Sequence, residues 1–158
     1  MTLIRPARPD EMAALREVDR ASMDTFAAAG ISLPEGDGLL SGDLVLVADH
    51  DDEPVGLALV TVHSGWWHLE EISVLPSHGR QGIGTLLVED VIARAAAAGA
   101  PGVTLTTFRD VPFNGPWYAR LGFAEVPEDA HPWLAEARRS ERARGIDVAP
   151  RCAMARPS

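Results

Sequence analysis

The stretch Val74–Gly99, VLPSHGRQGIGTLLVEDVIARAAAAG, decides the fold. It joins the end of an apolar run to a glycine-rich turn and then to a long periodic segment. Ile83, Leu87, Val91 and Ala95 recur at helical spacing, which predicts a helix from about Gly82 to Ala98 with one apolar face. Gly82 and Gly84 carry no Cβ, so the backbone there can approach a ligand closely. Successive amides at a helix start form an anion nest, and the helix dipole adds favourable potential. Arg80 adds a mobile cation. Three readings follow. A dinucleotide loop wants G-x-G-x-x-G, whereas the order here is Gly79-x-x-Gly82-x-Gly84, with no acidic residue on a following strand at the expected distance. A nucleoside-triphosphate loop wants a lysine, and the chain has none. A tight turn with a purely structural job stands beside a pyrophosphate-binding one.

Outward from this stretch, strand and helix patterns alternate. TLIRPA reads as a first strand, and RPDEMAALREVDRASMDTFAAAG as a helix with Met12, Leu15, Val18, Met23 and Phe26 at helical spacing, stopped at Gly30. ISLPEGDGLLSG is loop. DLVLVADHDDEPVGLALVTVHSG reads as a hairpin around an Asp-rich turn, and WWHLEEISVL as the next strand. Past the glycine-turn helix come the strand GVTLTTF, a short helix in PFNGPWYARLGF ended by Gly122, the strand AEV, the amphipathic helix HPWLAEARRSERARG and a last strand in APRCAMARP. A hairpin followed by β-α-β implies an α/β, or mixed α+β, domain with a mixed sheet, and residues 1–158 read as a single domain.

Composition narrows the class. The 158 residues are 46% hydrophobic, enough for one real core. A net charge of -9 argues against a nucleic-acid partner. It fits a cationic substrate weakly, because acidity also keeps proteins soluble. All fourteen basic residues are Arg, which reads as a bacterial-type genomic bias rather than mechanism. No apolar run is long enough for a membrane span, and the N-terminus lacks an apolar signal core, so the cytoplasm is the expected compartment. The single cysteine, Cys152, rules out an internal disulfide and a Cys-rich zinc site, and the histidines show no metal spacing.

ISVLPSHGRQGIGTLLVEDVIARA resembles the acyl-CoA-binding motif of the GNAT superfamily of N-acetyltransferases: a strand ending near V-x-P, then [QR]-x-x-G-x-[GA], then a long helix. Gly79 stands where the family usually has Gln or Arg, and Arg80 is displaced by one position. A second block, FRDVPFNGPWYARLGFAEV, resembles the family's later segment, in which an Asn precedes an aromatic-Tyr pair and GF closes the helix. Together the blocks span roughly Ile72 to Val126. The resemblance implies a central, mostly antiparallel mixed sheet of six to seven strands flanked by helices. It implies acetyl-CoA as cosubstrate with no metal, held by Ile72, Val74, Gly79, Arg80, Gln81, Gly82, Ile83, Gly84 and Thr85, with Asn114 on the pantetheine arm. It further implies that the Val74 backbone N–H polarises the acetyl carbonyl and that Tyr118 sits near the thiol.

Amine acetylation needs a neutral amine, a donor for the oxyanion and a proton for the leaving thiolate. Tyr118, the only tyrosine, is the expected general acid. Strict alternation along WHLEEISV would put His68, Glu70, Ile72 and Val74 on one face and Leu69, Glu71 and Ser73 on the other. Glu70 is the expected base, directly or through water, with His68 second. Candidates for the acceptor pocket are Met23, Phe26, the 31–38 loop, Trp66, Trp67, Phe108, Trp117 and Trp133, through cation–π contact. The expected partner is a small-molecule amine, with room for a homodimer. A protein or peptide N-terminal acetyltransferase and a non-catalytic acyl-CoA-binding module are the alternatives.

Overall fold

The computed structural model describes residues 1–34 and 42–158, so residues 35–41 of the expected loop lie outside the described part. The elements run β1 (Thr2–Pro6), α1 (Met12–Ala28), β2 (Leu44–His50), β3 (Glu53–His63), β4 (Trp66–Val74), α2 (Ile83–Ala97), β5 (Gly102–Phe108), α3 (Gly115–Arg120), β6 (Ala124–Val126), α4 (Pro132–Ala143) and β7 (Arg151–Pro157). The described strands form one seven-stranded sheet in the order β1-β2-β3-β4-β5-β7-β6. Only β4 and β5 run parallel. The mostly antiparallel sheet expected from sequence is therefore present. No helix among the described residues is long and apolar enough to cross a membrane.

The two sheet faces are covered by helices of different character. α2 presents Ile83, Leu87, Val88, Val91 and Ala95, all at most 2% exposed, to Leu46, Ala58, Val60, Leu69 and Leu105. Burying such side chains contributes about 1.5–3 kcal/mol each. On the other face α1 sets Leu15 and Val18 against Val47 and Leu57. The β2–β3 turn uses Asp51 and Asp52, both at positive φ, as a two-residue hairpin requires.

One element departs from the simple reading. Leu59 pairs with Glu71 but Val60 pairs with Leu69, so Glu70 is an extra residue in β4, a β-bulge. The bulge resets the alternation. Leu69, Ile72 and Val74 share the α2 face. Glu71 and Ser73 turn toward Asp19 of α1. The expectation that His68 and Glu70 share a face with Ile72 and Val74 is therefore wrong, because strict period-2 counting fails across an inserted residue.

Two carboxyl networks hold α1, one at its start and one at its middle. At the first, Arg5 of β1 donates two hydrogen bonds to Glu11 at 2.7 and 2.6 Å and reaches Asp49 of β2 at 3.1 Å. Glu11 also accepts from the Arg8 backbone N–H at 2.8 Å. The Arg5 guanidinium holds the Glu11 carboxyl down at about 2, against the opposing effect of burial. At the second, Ser73 Oγ lies 3.2 Å from Glu71 and 3.4 Å from Asp19. Burial first, and then the hydrogen bond and charge of Asp19, push the Glu71 carboxyl up to about 9. Glu71 is thus protonated at neutral pH and shares its hydrogen with Asp19.

The two groups act on stability in opposite pH windows. Glu11, lowered in the fold, stabilises above pH 4.5 and loses that contribution as pH falls toward about 2. The contribution is on the order of 3 kcal/mol, so Glu11→Gln should lower Tm by roughly 6–12 °C at neutral pH and by little near the acid end, as read by calorimetry. Glu71, raised in the fold, stabilises fully below pH 4.5 and loses that contribution as pH rises toward about 9. Glu71→Gln should flatten the alkaline fall in Tm by at least about 4 °C; an unchanged profile would show that Glu71 does not hold the proton.

Candidate functional site

The site begins where β4 and β5 part. They pair only at Trp67–Val103, His68–Thr104 and Leu69–Leu105. β5 then stays with β7 to Phe108, while β4 stays with β3 to Val74. The Leu75 N–H donates to the Val55 carbonyl. Backbone groups alternate sides in an antiparallel strand, so those of Ile72 and Val74 point away from β3 into the gap. A buried strand edge with unpaired N–H groups needs a partner. It is what an acyl group's carbonyl and an amide-bearing chain would supply.

A cavity of about 940 Å³ lies along this gap. Ile72, Ser73 and Val74 form its floor, the Pro76–Thr85 turn one end, α3 one wall, and Ser22 and Phe26 of α1 the other. Of the expected donor-binding residues, Ile72, Val74, Gly79, Arg80, Gly82, Ile83, Gly84, Thr85 and Asn114 all line it, as does Tyr118. Gln81 is the one that does not.

The turn leaves the start of α2 open. Gly82, at φ +77°, caps α2 and offers no side-chain hydrogen bond, so the first-turn amides have no side-chain cap. A Cβ on Gly82 would meet nothing within 4 Å, so the space before it is open. Gly84 faces α3: a Cβ there would lie in van der Waals contact with the Trp117 ring at 3.4 Å.

On α3, Asn114 accepts a hydrogen bond from the Thr107 hydroxyl at 2.6 Å, which fixes its amide. Tyr118 packs against Trp117 and Phe123 at 4.8 and 5.7 Å between ring centres. Burial raises its phenol above the ordinary range, with Arg151 opposing weakly. Among the described residues its hydroxyl has no hydrogen-bond partner. Phe26 and Trp117 share the cavity wall, while Phe108 is buried in the core.

His68 and Glu70 line a second cavity, on the α4 side of the sheet, with His63, Trp133 and Glu136. Glu70 is exposed and accepts a hydrogen bond from Thr61 at 2.7 Å. Sequence reasoning missed Glu71, the strand's strongly perturbed carboxyl. Its signal is invisible along the chain, because Asp19 and the bulge create it. No group of three or more His, Cys, Asp or Glu suited to a metal occurs among the described residues.

Comparison with known proteins agrees with this geometry. Residues 12–123 match the model of the acetyltransferase (GNAT) family. A GNAT family acetyltransferase from Brucella melitensis in complex with acetyl-CoA is 28% identical over 78% of this chain and 83% of its own, with a TM-score of 0.58. The ribosomal-protein-S18-alanine N-acetyltransferase from Escherichia coli is 20% identical over 99% and 94%, with a TM-score of 0.68. N-acetylglutamate synthase from Neisseria gonorrhoeae, complexed with coenzyme A and N-acetyl-glutamate, is 19% identical with a TM-score of 0.73. There the match takes 99% of this chain but spans only 35% of that one. The likenesses below 25% identity speak for the fold, and the family match covers the glycine turn and the Asn114–Tyr118 helix together: the chain belongs to the GNAT acetyltransferase family.

Proposed function

We propose that the chain transfers an acetyl group from acetyl-CoA to a primary amine of a small molecule by direct attack. The observation that carries this reading is the parting of β4 and β5, with an uncapped helix start at one end of the gap and an unpartnered tyrosine hydroxyl beside it. Bound acetyl-CoA supplies the acyl group as an activated thioester. The residues fit such a donor. The turn Gly79, Arg80, Gly82, Ile83, Gly84 and Thr85 seats the pyrophosphate, with Gln81 at its outer edge. Asn114 holds the pantetheine amides. The backbone N–H groups of Ile72 and Val74 face the thioester carbonyl, where Val74 stabilises the charge that develops on oxygen.

Glu70 takes the proton of the attacking nitrogen at its carboxylate, directly or through one water. Tyr118 holds a proton at Oη for the departing sulfur. Burial keeps that phenol protonated at neutral pH. Glu70 belongs to one cavity and Tyr118 to the other, so the proton is taken up on the acceptor side of the strands and delivered on the donor side.

Acetyl-CoA turnover over a panel of amines, read as free thiol, tests the reading; binding of CoA without thiol release on any amine would leave a binding module instead. Tyr118→Phe and Glu70→Gln should each lower kcat by about 10²-fold while CoA binding persists. Gly82→Val places a β-branched side chain at a left-handed position facing the seat. It should weaken CoA by at least about 100-fold in calorimetry, with the circular dichroism spectrum retained.

A further inference from the structure

α4 closes a second cavity of about 870 Å³ against β3 and β4. Its wall is aromatic. The Trp133 indole stacks with His63 at 5.6 Å and with His131 at 4.3 Å, the rings within 13° of parallel. The indole N–H donates to Thr104 Oγ at 3.0 Å, and Thr104 Oγ lies 2.8 Å from His68 Nδ1. Thr104 is fully buried and has one hydroxyl hydrogen. An indole only donates, so Thr104 accepts from Trp133; its own hydrogen has no other acceptor among the described residues and is assigned to His68 Nδ1. That arrangement leaves no buried hydrogen idle and puts the His68 proton on Nε2.

His68 is only 2% exposed, and Nε2 has no partner among the described residues. Its ring lines the cavity, so an N–H donor waits there for a ligand. Burial lowers the His68 pKa, which keeps the ring neutral. Glu70 and Glu136 line the opening. Glu136 pairs with Arg139, whereas Glu70 accepts only from the Thr61 hydroxyl and has no arginine partner among the described residues. Glu141 is locked by Arg138 at 2.8 Å and Arg151 at 3.1 Å, and Arg144 is the one arginine in the lining. Glu70 directly follows the last β4–β5 pair, two residues before Ile72 of the donor cavity.

We propose that this cavity is the acceptor site and that it selects a small cationic primary amine carrying a neutral oxygen acceptor, such as an amino alcohol. The cation lies between Glu70 and Glu136, and the oxygen accepts from His68 Nε2–H. His68 is then a specificity-determining donor rather than the second base expected from sequence. The inference rests on the acetyltransferase reading.

The test is calorimetry on the full chain saturated with desulfo-CoA, using propanolamine, propylamine and β-alanine, together with KM values for the same amines. Propanolamine should bind best and β-alanine worst. Glu136→Gln should weaken both amines by about tenfold. His68→Gln should erase the advantage of propanolamine over propylamine while CoA affinity stays at the parent value, a pattern that general loosening of the fold would not produce. Unchanged amine binding and KM in both variants, with CoA still bound, would overturn this site and leave the acetyltransferase reading standing. Preference for β-alanine would overturn the charge argument. Failure of the parent chain to bind CoA would overturn the acetyltransferase reading, and this site with it.

Discussion

The parting of β4 and β5 after three paired residues is the constraint on which the site depends. In a parallel pair the ladder ordinarily continues as far as both strands do. Here each strand is committed elsewhere. β5 keeps seven paired positions with β7, and β4 keeps its ladder with β3 to Val74. The bulge at Glu70 supplies the bend, since an inserted residue increases local twist and turns the strand away. Thr107 then binds Asn114, drawing the turn after β5 back toward the gap. One geometric event thus frees the Ile72 and Val74 amides, brings α3 to the cavity along the gap and leaves Glu70 at the edge of the α4-side cavity proposed for the acceptor.

A buried charge network holds the acceptor side in place. Arg138 and Glu141 of α4 have side chains 5% and 7% exposed. Glu141 accepts from Arg138, from Arg151 of β7 and from the Thr106 hydroxyl of β5. Arg138 also reaches Asp147 at 2.9 Å. Desolvating such ions is costly, and the cost is offset only when several partners surround each one. The network has that density, so it fixes where α4 lies on the sheet. It also sets the charge of the cavity: Glu141 is neutralised by Arg138 and Arg151, Glu136 pairs with Arg139, and Glu70 faces the opening with no arginine partner among the described residues. Arg151, 4.5 Å from the Phe108 ring, ties the same network to the core.

How much of this was legible in the sequence follows from which interactions are local. The buried face of α2, with Ile83, Leu87, Val91 and Ala95, is a periodicity and was readable directly. The β2–β3 hairpin and the stop at Gly122 are turn chemistry and were equally readable. Two motif blocks single out eleven residues for a donor site, and ten of them (Tyr118 among them, Gln81 excepted) line one cavity. What failed was long-range. The bulge at Glu70 has no marker in WHLEEISV, so period-2 counting put His68 and Glu70 on the wrong face relative to Ile72. The Glu71–Asp19 pair joins residues far apart in the chain. The Trp133–Thr104–His68 relay joins three elements through side chains alone.

The glycine turn carries the same lesson at finer scale. Gly79 occupies the position where an Arg or Gln was expected, and its surroundings explain why. Its N–H is spent on the Pro76 carbonyl at 3.1 Å, and a Cβ there would crowd that oxygen at 3.3 Å. The tight Pro76–His78 turn therefore favours a residue without a side chain. The cation moves to Arg80, whose φ of +63° is left-handed. Such a conformation costs a non-glycine residue roughly 1–2 kcal/mol, a cost that glycine would avoid. Two positive-φ residues, Arg80 and Gly82, flank Gln81, yet only one of them is the glycine that backbone geometry alone would select. Arg80 nonetheless lines the cavity in this conformation, and the pyrophosphate seat proposed above would give its guanidinium a use that its backbone does not.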